Sequence, residues 1–367
     1  MMWNDAEYNL LIKNLAACKD TIQKDGYSIL LKKIPDGDRP GDIDPRIANL
    51  NRFLNQNPGP SEIDLNNMAA VRACMNWKSL DITRALIETK HSHFVARDGQ
   101  KVRIRIYTPI ETEGIKPCMI YFHGGGWMGG EMSFVENACK VMAERAKAVV
   151  VSVDYRVAPE NPFPIPFNDC VDSVRYVYEH GEELGIDPQK IGVSGDSAGA
   201  NLATVCALYD RDNKLNMIKY QALVYPATNI CQIENEYYTW SEDQYDLLHN
   251  VDDIKACIYD VAIHRGLAVI EKAYVQDHSL VRHPYVSPLY AEDFSGMAPI
   301  MIVTPEFDYL RLEGEAYAKR LAEAGVDVKV VRYCGVCHGF LEKVGQIPQA
   351  EDCCDMIAKD FIKVVSQ

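Results

Sequence analysis

The stretch Lys190-Ile191-Gly192-Val193-Ser194-Gly195-Asp196-Ser197-Ala198-Gly199 decides how this chain folds. Its first five residues read as a strand, and residues 198–210 carry helical spacing, so Ser197 stands at a strand-to-helix turn. The turn has the form Gly-x-Ser-x-Gly. A turn this sharp forces the serine into a strained backbone conformation. Glycines two residues to either side relieve the crowding against the neighbouring strand and helix. The hydroxyl is thereby lifted out of the sheet, where a base and a carbonyl can reach it. Short patterns of this kind also occur by chance, so the surrounding context carries the argument.

Outward from that turn, continuous apolar strands alternate with amphipathic helices. Residues 118–122, 148–153, 222–225, 299–303 and 326–333 read as strands. Residues 134–147, 168–180, 312–324 and 350–365 read as helices. This α/β alternation predicts a mostly parallel central sheet flanked by helices. Residues 93–96 and 102–107 flank Arg97-Asp98-Gly99 and read as a β-hairpin. Residues 1–90 read as helical and irregular. Helical stretches cover 9–17 and 64–87, the second through Leu65, Met68, Ala69, Cys74 and Trp77, with a Pro- and Gly-punctuated linker over 34–41 between them. Residues 230–283 break the alternation. They are rich in Tyr, Asp, Glu and His, carry helical patches over 254–264 and 267–275, and read as an insertion.

The chain has 367 residues, 47% of them hydrophobic and 25% charged, enough to bury a large core. Its formal net charge of −14 argues against nucleic acid or an anionic membrane as partner, since both call for a basic face. Residues 1–20 lack a basic segment followed by an apolar core, because Asp5, Glu7 and Lys13 interrupt them, and no long apolar run occurs elsewhere. The expected location is cytoplasmic. Of the 12 cysteines, Cys118, Cys139, Cys170 and Cys206 stand singly in apolar patterns and read as small buried hydrophobes.

A serine hydroxyl is a weak nucleophile at neutral pH and needs a base, an orienting carboxylate and donors for the developing oxyanion. His123-Gly124-Gly125-Gly126-Trp127 directly follows the strand 118–122, at the end of the sheet where ligands bind in open α/β folds. A glycine run there lets backbone N–H groups turn toward a ligand, although the same run could serve as a plain flexible turn. The N–H groups of Gly125, Gly126 and Ala198 are the candidate oxyanion donors. Asp308 follows the strand 299–303 and His338 follows the strand 326–333, in the chain order Ser, Asp, His. Alone, either residue would read as structural or solvated. Together they complete a candidate triad.

His123-Gly124-Gly125-Gly126, Asp154-Tyr155-Arg156-Val157-Ala158-Pro159-Glu160, Gly195-Asp196-Ser197-Ala198-Gly199 and His338-Gly339-Phe340 together resemble the hormone-sensitive-lipase-like family of α/β-hydrolases, in its bacterial GDSAG branch, over residues 90–367. The resemblance implies an α/β-hydrolase fold with a helical cap. It also implies a serine carboxylesterase of acetylesterase type, cleaving short-chain acyl esters through an acyl-enzyme with Ser197, Asp308 and His338 as triad. Residues 91–229 and 284–367 would form the catalytic domain. The N-terminal helical segment 1–90 and the insertion 230–283 would contribute the cap, and residues 154–160 would be architectural, packed behind the turn at Ser197. No cofactor and no metal are expected. The expected partner is a small-molecule ester, with neither nucleic acid nor membrane, and a homodimer is the assembly the family allows. This chain departs from the family in carrying Tyr309 where a proline usually follows the triad aspartate, and Glu306 stands close by as a rival acid. Asp308 is preferred because residues 308–314 align with the family's aspartate loop. The alternative function is a non-catalytic hydrolase-fold receptor for a small molecule; such proteins lose a triad member, and here all three candidates are present.

Cys334-Gly335-Val336-Cys337-His338 is also a literal C-x-x-C-H string, the pattern of covalent haem attachment. Haem of that kind needs export to an oxidising compartment, and the triad claims the same histidine. A redox pair or a disulfide that gates His338 is the second reading of this string. The expectation is that Cys334 and Cys337 are dispensable for the chemistry. Cys353-Cys354 belongs to the last helix, with no accompanying ligand set at zinc spacing.

Overall fold

The computed structural model describes residues 5–24, 26–37, 39–56, 64–75, 78–110, 114–230, 233–259 and 267–367. Its centre is one sheet of strands β1 (Thr21–Lys24), β2 (Tyr27–Lys32), β3 (Ile87–Val95), β4 (Lys101–Pro109), β5 (Lys116–Phe122), β6 (Val149–Asp154), β7 (Ile186–Asp196), β8 (Ile218–Val224), β9 (Ile300–Phe307) and β10 (Val328–Cys337). Their order across the sheet is β1-β2-β10-β9-β8-β7-β5-β6-β4-β3. From β2 to β6 every neighbouring pair is parallel, and antiparallel pairs close the two edges.

The sheet's interior follows from its strand sequences. Cys118, Ile120 and Phe122 of β5 face one core layer while Met119 and Tyr121 face the other. In β6, Val149, Val151 and Val153 oppose Val150 in the same way. With a side-chain period of two, only a continuous apolar run can be buried on both faces. One face is covered by α1 (Asp5–Ala17), α4 (Met132–Ala146) and α9 (Pro348–Val365). The other is covered by α5 (Ile165–Glu179), α6 (Ala198–Asp212) and α8 (Arg311–Glu323). Among the described residues the other α-helices are α2 (Pro45–Gln56) and α3 (Met68–Cys74), and, in the insertion, α7 (Val251–Ile258), with a short helical stretch over Leu267–Ile270 and Glu271–Val275. Residues 260–264 of the expected insertion helix, and Trp77, lie outside the described residues.

Two expectations for residues 1–90 are corrected. The segment is not wholly helical and irregular: β1 and β2 lie within it and extend the catalytic sheet, so residues 21–32 do not form part of a helical cap segment. The strand β2 runs parallel to β10, Ile29 opposite Val330 and Leu30 opposite Val331. A partner at the far end of the chain leaves no local signal. The expected helix over 64–87 is also shorter, ending at Cys74, and Ile87 already belongs to β3. In residues 78–86, backbone groups find tertiary partners instead of a helical ladder. Leu80 N–H donates to Val344 O at 2.9 Å, and the N–H groups of Arg84 and Ala85 both donate to the Glu144 carboxylate at 2.6 Å.

Candidate active site

The strand β7 runs straight into α6, and Ser197 at the junction has φ 53° and ψ −119°. That is a region non-glycine residues rarely occupy. The flanking glycines are sterically required. A Cβ on Gly195 would lie 2.6 Å from Phe122 O, and one on Gly199 would lie 2.0 Å from Phe122 O and 2.5 Å from His123 O. The backbone of β5 therefore passes directly beside the turn. Ser197 N–H donates to Val224 O at 2.9 Å, which ties the turn to the end of β8.

Three strand ends converge on the serine. Asp308 follows β9 directly and His338 follows β10 directly. His338 Nε2 lies 3.0 Å from Ser197 Oγ, and His338 Nδ1 lies 2.8 Å from Asp308 Oδ2. With the carboxylate accepting from Nδ1–H, the lone pair of Nε2 faces the serine hydroxyl. Asp308 is fully buried, its Oδ1 accepts from Leu310 N–H at 2.9 Å, and its backbone carbonyl accepts from the Tyr245 hydroxyl at 2.9 Å. The Tyr225 ring packs 4.7 Å from the imidazole. Glu306, the rival acid, turns away: its Oε2 accepts from Gly335 N–H at 2.8 Å, and burial raises its carboxyl above the ordinary range.

The loop after β5 is folded back on itself. Gly125 has φ 119°, and its carbonyl accepts from Met128 N–H at 3.1 Å and Gly129 N–H at 2.9 Å. A Cβ on Gly125 would come within 2.3 Å of Gly129 O, so the fold of the loop requires glycine there. The N–H groups of Gly125, Gly126 and Ala198 have no intramolecular acceptor among the described residues. His123 is buried, donates through Nδ1 to Gly124 O at 2.8 Å and stacks on Tyr155 at 4.4 Å. Burial lowers its basicity, which leaves it neutral.

Asp196 locks this loop to the serine turn. Its Oδ1 accepts from Gly124 N–H at 3.0 Å and from the Tyr121 hydroxyl at 2.9 Å. Burial pushes its carboxyl up to about 7, aided by the nearby Glu342 carboxylate and opposed by those two donors. Residues 154–160 lie behind the glycine loop. The Tyr155 hydroxyl donates to His123 O at 2.6 Å, Ala158 N–H donates to Trp127 O at 2.8 Å, and Arg156 pairs with Asp169 and Asp98.

Several residues at the site escaped the sequence reading. Arg72 of α3 donates through Nε to Met128 O at 2.8 Å and pairs with Glu160, which pins the loop from outside. Tyr274 of the insertion stacks on Trp127 at 4.8 Å, and Ile270 Cδ1 would lie 3.6 Å from a Cβ on Gly126. Tyr225 had a findable signal, since it follows an apolar strand at the sheet's C-terminal edge. Cys337 bears on the second reading of the C-x-x-C-H string, a redox pair or a disulfide that gates His338. It is bonded to Cys257 of α7, not paired with Cys334, and the half-buried Cys334 remains a free thiol. The C-x-x-C-H string therefore does not offer two free thiols to a haem. Among the described residues no cluster of three or more His, Cys, Asp or Glu is placed to hold a metal.

A family model described as the alpha/beta hydrolase fold matches residues 119–342. The chain is 35% identical over 251 residues to the esterase LipI of Mycobacterium tuberculosis, covering 68% of this chain and 73% of that protein. It is 34% identical over 266 residues to an arylesterase of Saccharolobus solfataricus, covering 72% of this chain and 81% of the relative. Among solved structures, a hyperthermophilic esterase from the archaeon Pyrobaculum calidifontis superposes with a TM-score of 0.72 at 30% identity, over 88% of this chain and 98% of the other.

Proposed function

The chain belongs to the hormone-sensitive-lipase-like family of α/β-hydrolases and is a serine carboxylesterase; on that premise we propose that Ser197, His338 and Asp308 are its catalytic triad and that short-chain acyl esters are its substrates. The observation that carries this reading is the unbroken chain of contacts from Ser197 Oγ to His338 at 3.0 Å and from His338 to Asp308 at 2.8 Å. In the forward step His338 takes the serine proton through Nε2 as Oγ attacks the ester carbonyl. Asp308 holds the imidazole tautomer through Nδ1 and stabilises the imidazolium that forms.

The negative charge that develops on the carbonyl oxygen falls to the N–H groups of Gly125, Gly126 and Ala198. Ala198 opens α6, so its amide is among the donors a helix leaves unpaired at its N-terminus. Asp196 acts as a positioning residue, because it ties the loop of Gly125 to the turn of Ser197 through Gly124 N–H. The imidazolium then protonates the leaving alcohol. A water activated by the same histidine hydrolyses the acyl-enzyme.

Two segments supply the cap in this reading. Helix α3 reaches the glycine loop through Arg72, and the insertion reaches it through Ile270 and Tyr274. The Trp127–Tyr274 stack and Ile270 crowd the space beside the oxyanion donors, which favours a short acyl group. Among the described residues no helix is long and apolar enough to cross a membrane. A cytoplasmic location fits the buried free cysteines, and the open edges β1 and β3 are surfaces through which a homodimer would form, which sedimentation would measure. The test of the function is hydrolysis of a chromogenic butyrate ester by the wild type and by Ser197→Ala. Turnover that survives in the folded variant would remove Ser197 from the mechanism.

A further inference from the structure

The β9–β10 register shifts between Tyr333 and Cys337, and the ladder resumes at Cys337, opposite Phe307, directly before the histidine. Gly335 and Gly339 flank it, at φ 73° and 70°. Glycines in that conformation leave the segment free to pivot wherever tertiary contacts do not hold it. On one side the contacts are present: Gly335 N–H donates to Glu306, and Gly335 O accepts from Asp44 N–H at 2.8 Å. At Cys337, immediately before the imidazole, the anchor is covalent. It runs to Cys257 of α7, with Cα atoms 5.7 Å apart.

The other end of that anchor is firm. Ile254, Cys257 and Ile258 of α7 are buried in the core layer that also holds Phe307 and Phe340. Asn51 Nδ2 contacts Cys257 Sγ at 3.4 Å, and Asn250 Nδ2 donates to Asp42 Oδ1 at 2.6 Å at the start of the helix. We propose that the Cys257–Cys337 disulfide is a redox-sensitive positioning device for the catalytic base: closed, it fixes His338 against Ser197 and Asp308; open, it lets the base drift and turnover fall. This rests on His338 acting as the base.

The opening step is thiol–disulfide exchange with a dithiol reductant. Its thiolate attacks Sγ of the half-buried Cys337, and Cys257 leaves as a thiolate and takes up a proton. The reductant's second thiol then displaces the mixed disulfide and closes its own ring. Two electrons and two protons pass to the protein. Cys334 does not compete for the bond, because burial pushes its thiol up to about 12 and keeps it protonated. In a reducing compartment the bond forms only when the redox poise rises, so esterase activity would track oxidation.

The test compares oxidised enzyme with enzyme reduced by dithiothreitol, using alkylation and peptide mapping to establish which thiols are free. On a chromogenic butyrate ester, kcat is expected to fall about tenfold on reduction while KM moves less than about threefold. The acid limb of the kcat/KM profile should move to lower pH, since a loosened contact with Asp308 stabilises the imidazolium less. Reoxidation should restore both. Cys257→Ser and Cys337→Ser should each sit at the reduced level and ignore dithiothreitol, while Cys334→Ser should respond as wild type does. A fully reduced wild type within about twofold of the oxidised kcat overturns the proposal and leaves the triad reading intact. So does a fall in kcat with an unmoved acid limb, or one that accompanies loss of near-ultraviolet circular dichroism, because the bond would then be a staple for the cap or the fold. An active Ser197→Ala enzyme would instead strike the triad reading, and with it the premise on which this proposal rests.

Discussion

The Tyr245 hydroxyl donates to the backbone carbonyl of Asp308 at 2.9 Å, so a residue of the insertion holds the loop that carries the proposed catalytic acid. Arg311 reinforces the contact by lying 4.3 Å over the Tyr245 ring. Removing the hydroxyl leaves a buried carbonyl without that donor, a loss worth about 1 kcal/mol. Tyr245→Phe should therefore lower kcat/KM by about three- to tenfold with little change in fold. Equal kcat/KM in wild type and variant would show that the aspartate loop is held without the insertion.

The strain at Ser197 separates chemistry from stability. Ser197→Ala and Ser197→Gly should both lose about 10⁴-fold or more of turnover, because triad members act as a unit. Only glycine is at ease at φ 53° and ψ −119°. The glycine variant should accordingly be more stable than the alanine variant, by about 1 kcal/mol. Chemical denaturation of the two proteins measures this, and a less stable glycine variant would mean that the turn is not strained at the serine.

Asp308 and Glu306 stand two residues apart and should behave very differently. Asp308→Asn loses control of the imidazole tautomer and should cost about 10³- to 10⁴-fold in kcat. Glu306→Gln keeps an oxygen to accept from Gly335 N–H and should stay within about threefold of wild type. The opposite ranking in steady-state kinetics would exchange their roles.

The meeting of Ser197, Asp308 and His338, the proposed triad, was legible because each closes a local apolar run that marks a strand, and strand ends of a parallel sheet meet at one edge. The glycines around Ser197 and after His123 were legible because close backbone approach excludes every other residue. Tyr245, Cys257 and Arg72 were not. Their partners lie 63, 80 and 88 residues away, and no local pattern distinguishes Tyr245 from Tyr237 or Tyr259, or Cys257 from the other cysteines. The strands β1 and β2 failed for the same reason, since β2 takes its order from β10.

Asp196 should make stability depend on pH. Burial raises its carboxyl from 3.8 to about 7 in the folded protein, so the native state binds this proton more tightly than the unfolded chain does. The stabilisation is complete below the unfolded value and is lost as pH rises through about 7. Asp196→Asn cannot ionise, yet keeps an oxygen for Gly124 N–H and the Tyr121 hydroxyl. Its melting temperature should therefore gain on that of the wild type steadily between about pH 4 and pH 7. Parallel melting curves across that range would show that Asp196 does not titrate there.

The acyl slot should be shortened chiefly by Ile270. This side chain is buried, and its Cδ1 would lie 3.6 Å from a Cβ on Gly126, one of the proposed oxyanion donors. Trp127 and Tyr274, stacked at 4.8 Å, close the wall beside it, and both are buried. On the proposed reading, an acyl chain entering past the glycine loop should meet this wall after a few carbons. Longer chains then leave methylenes in water, each forgoing about 0.8 kcal/mol of burial. The wild type should consequently favour esters of about two to six carbons over those of about fourteen to sixteen in kcat/KM, without activation at an emulsified interface. Ile270→Ala removes three carbons and opens room for two or three methylenes. The ratio of octanoate to butyrate kcat/KM should rise about 10- to 30-fold, with butyrate hydrolysis nearly unchanged. An unchanged ratio in a folded variant would place the acyl chain on another path, away from the insertion.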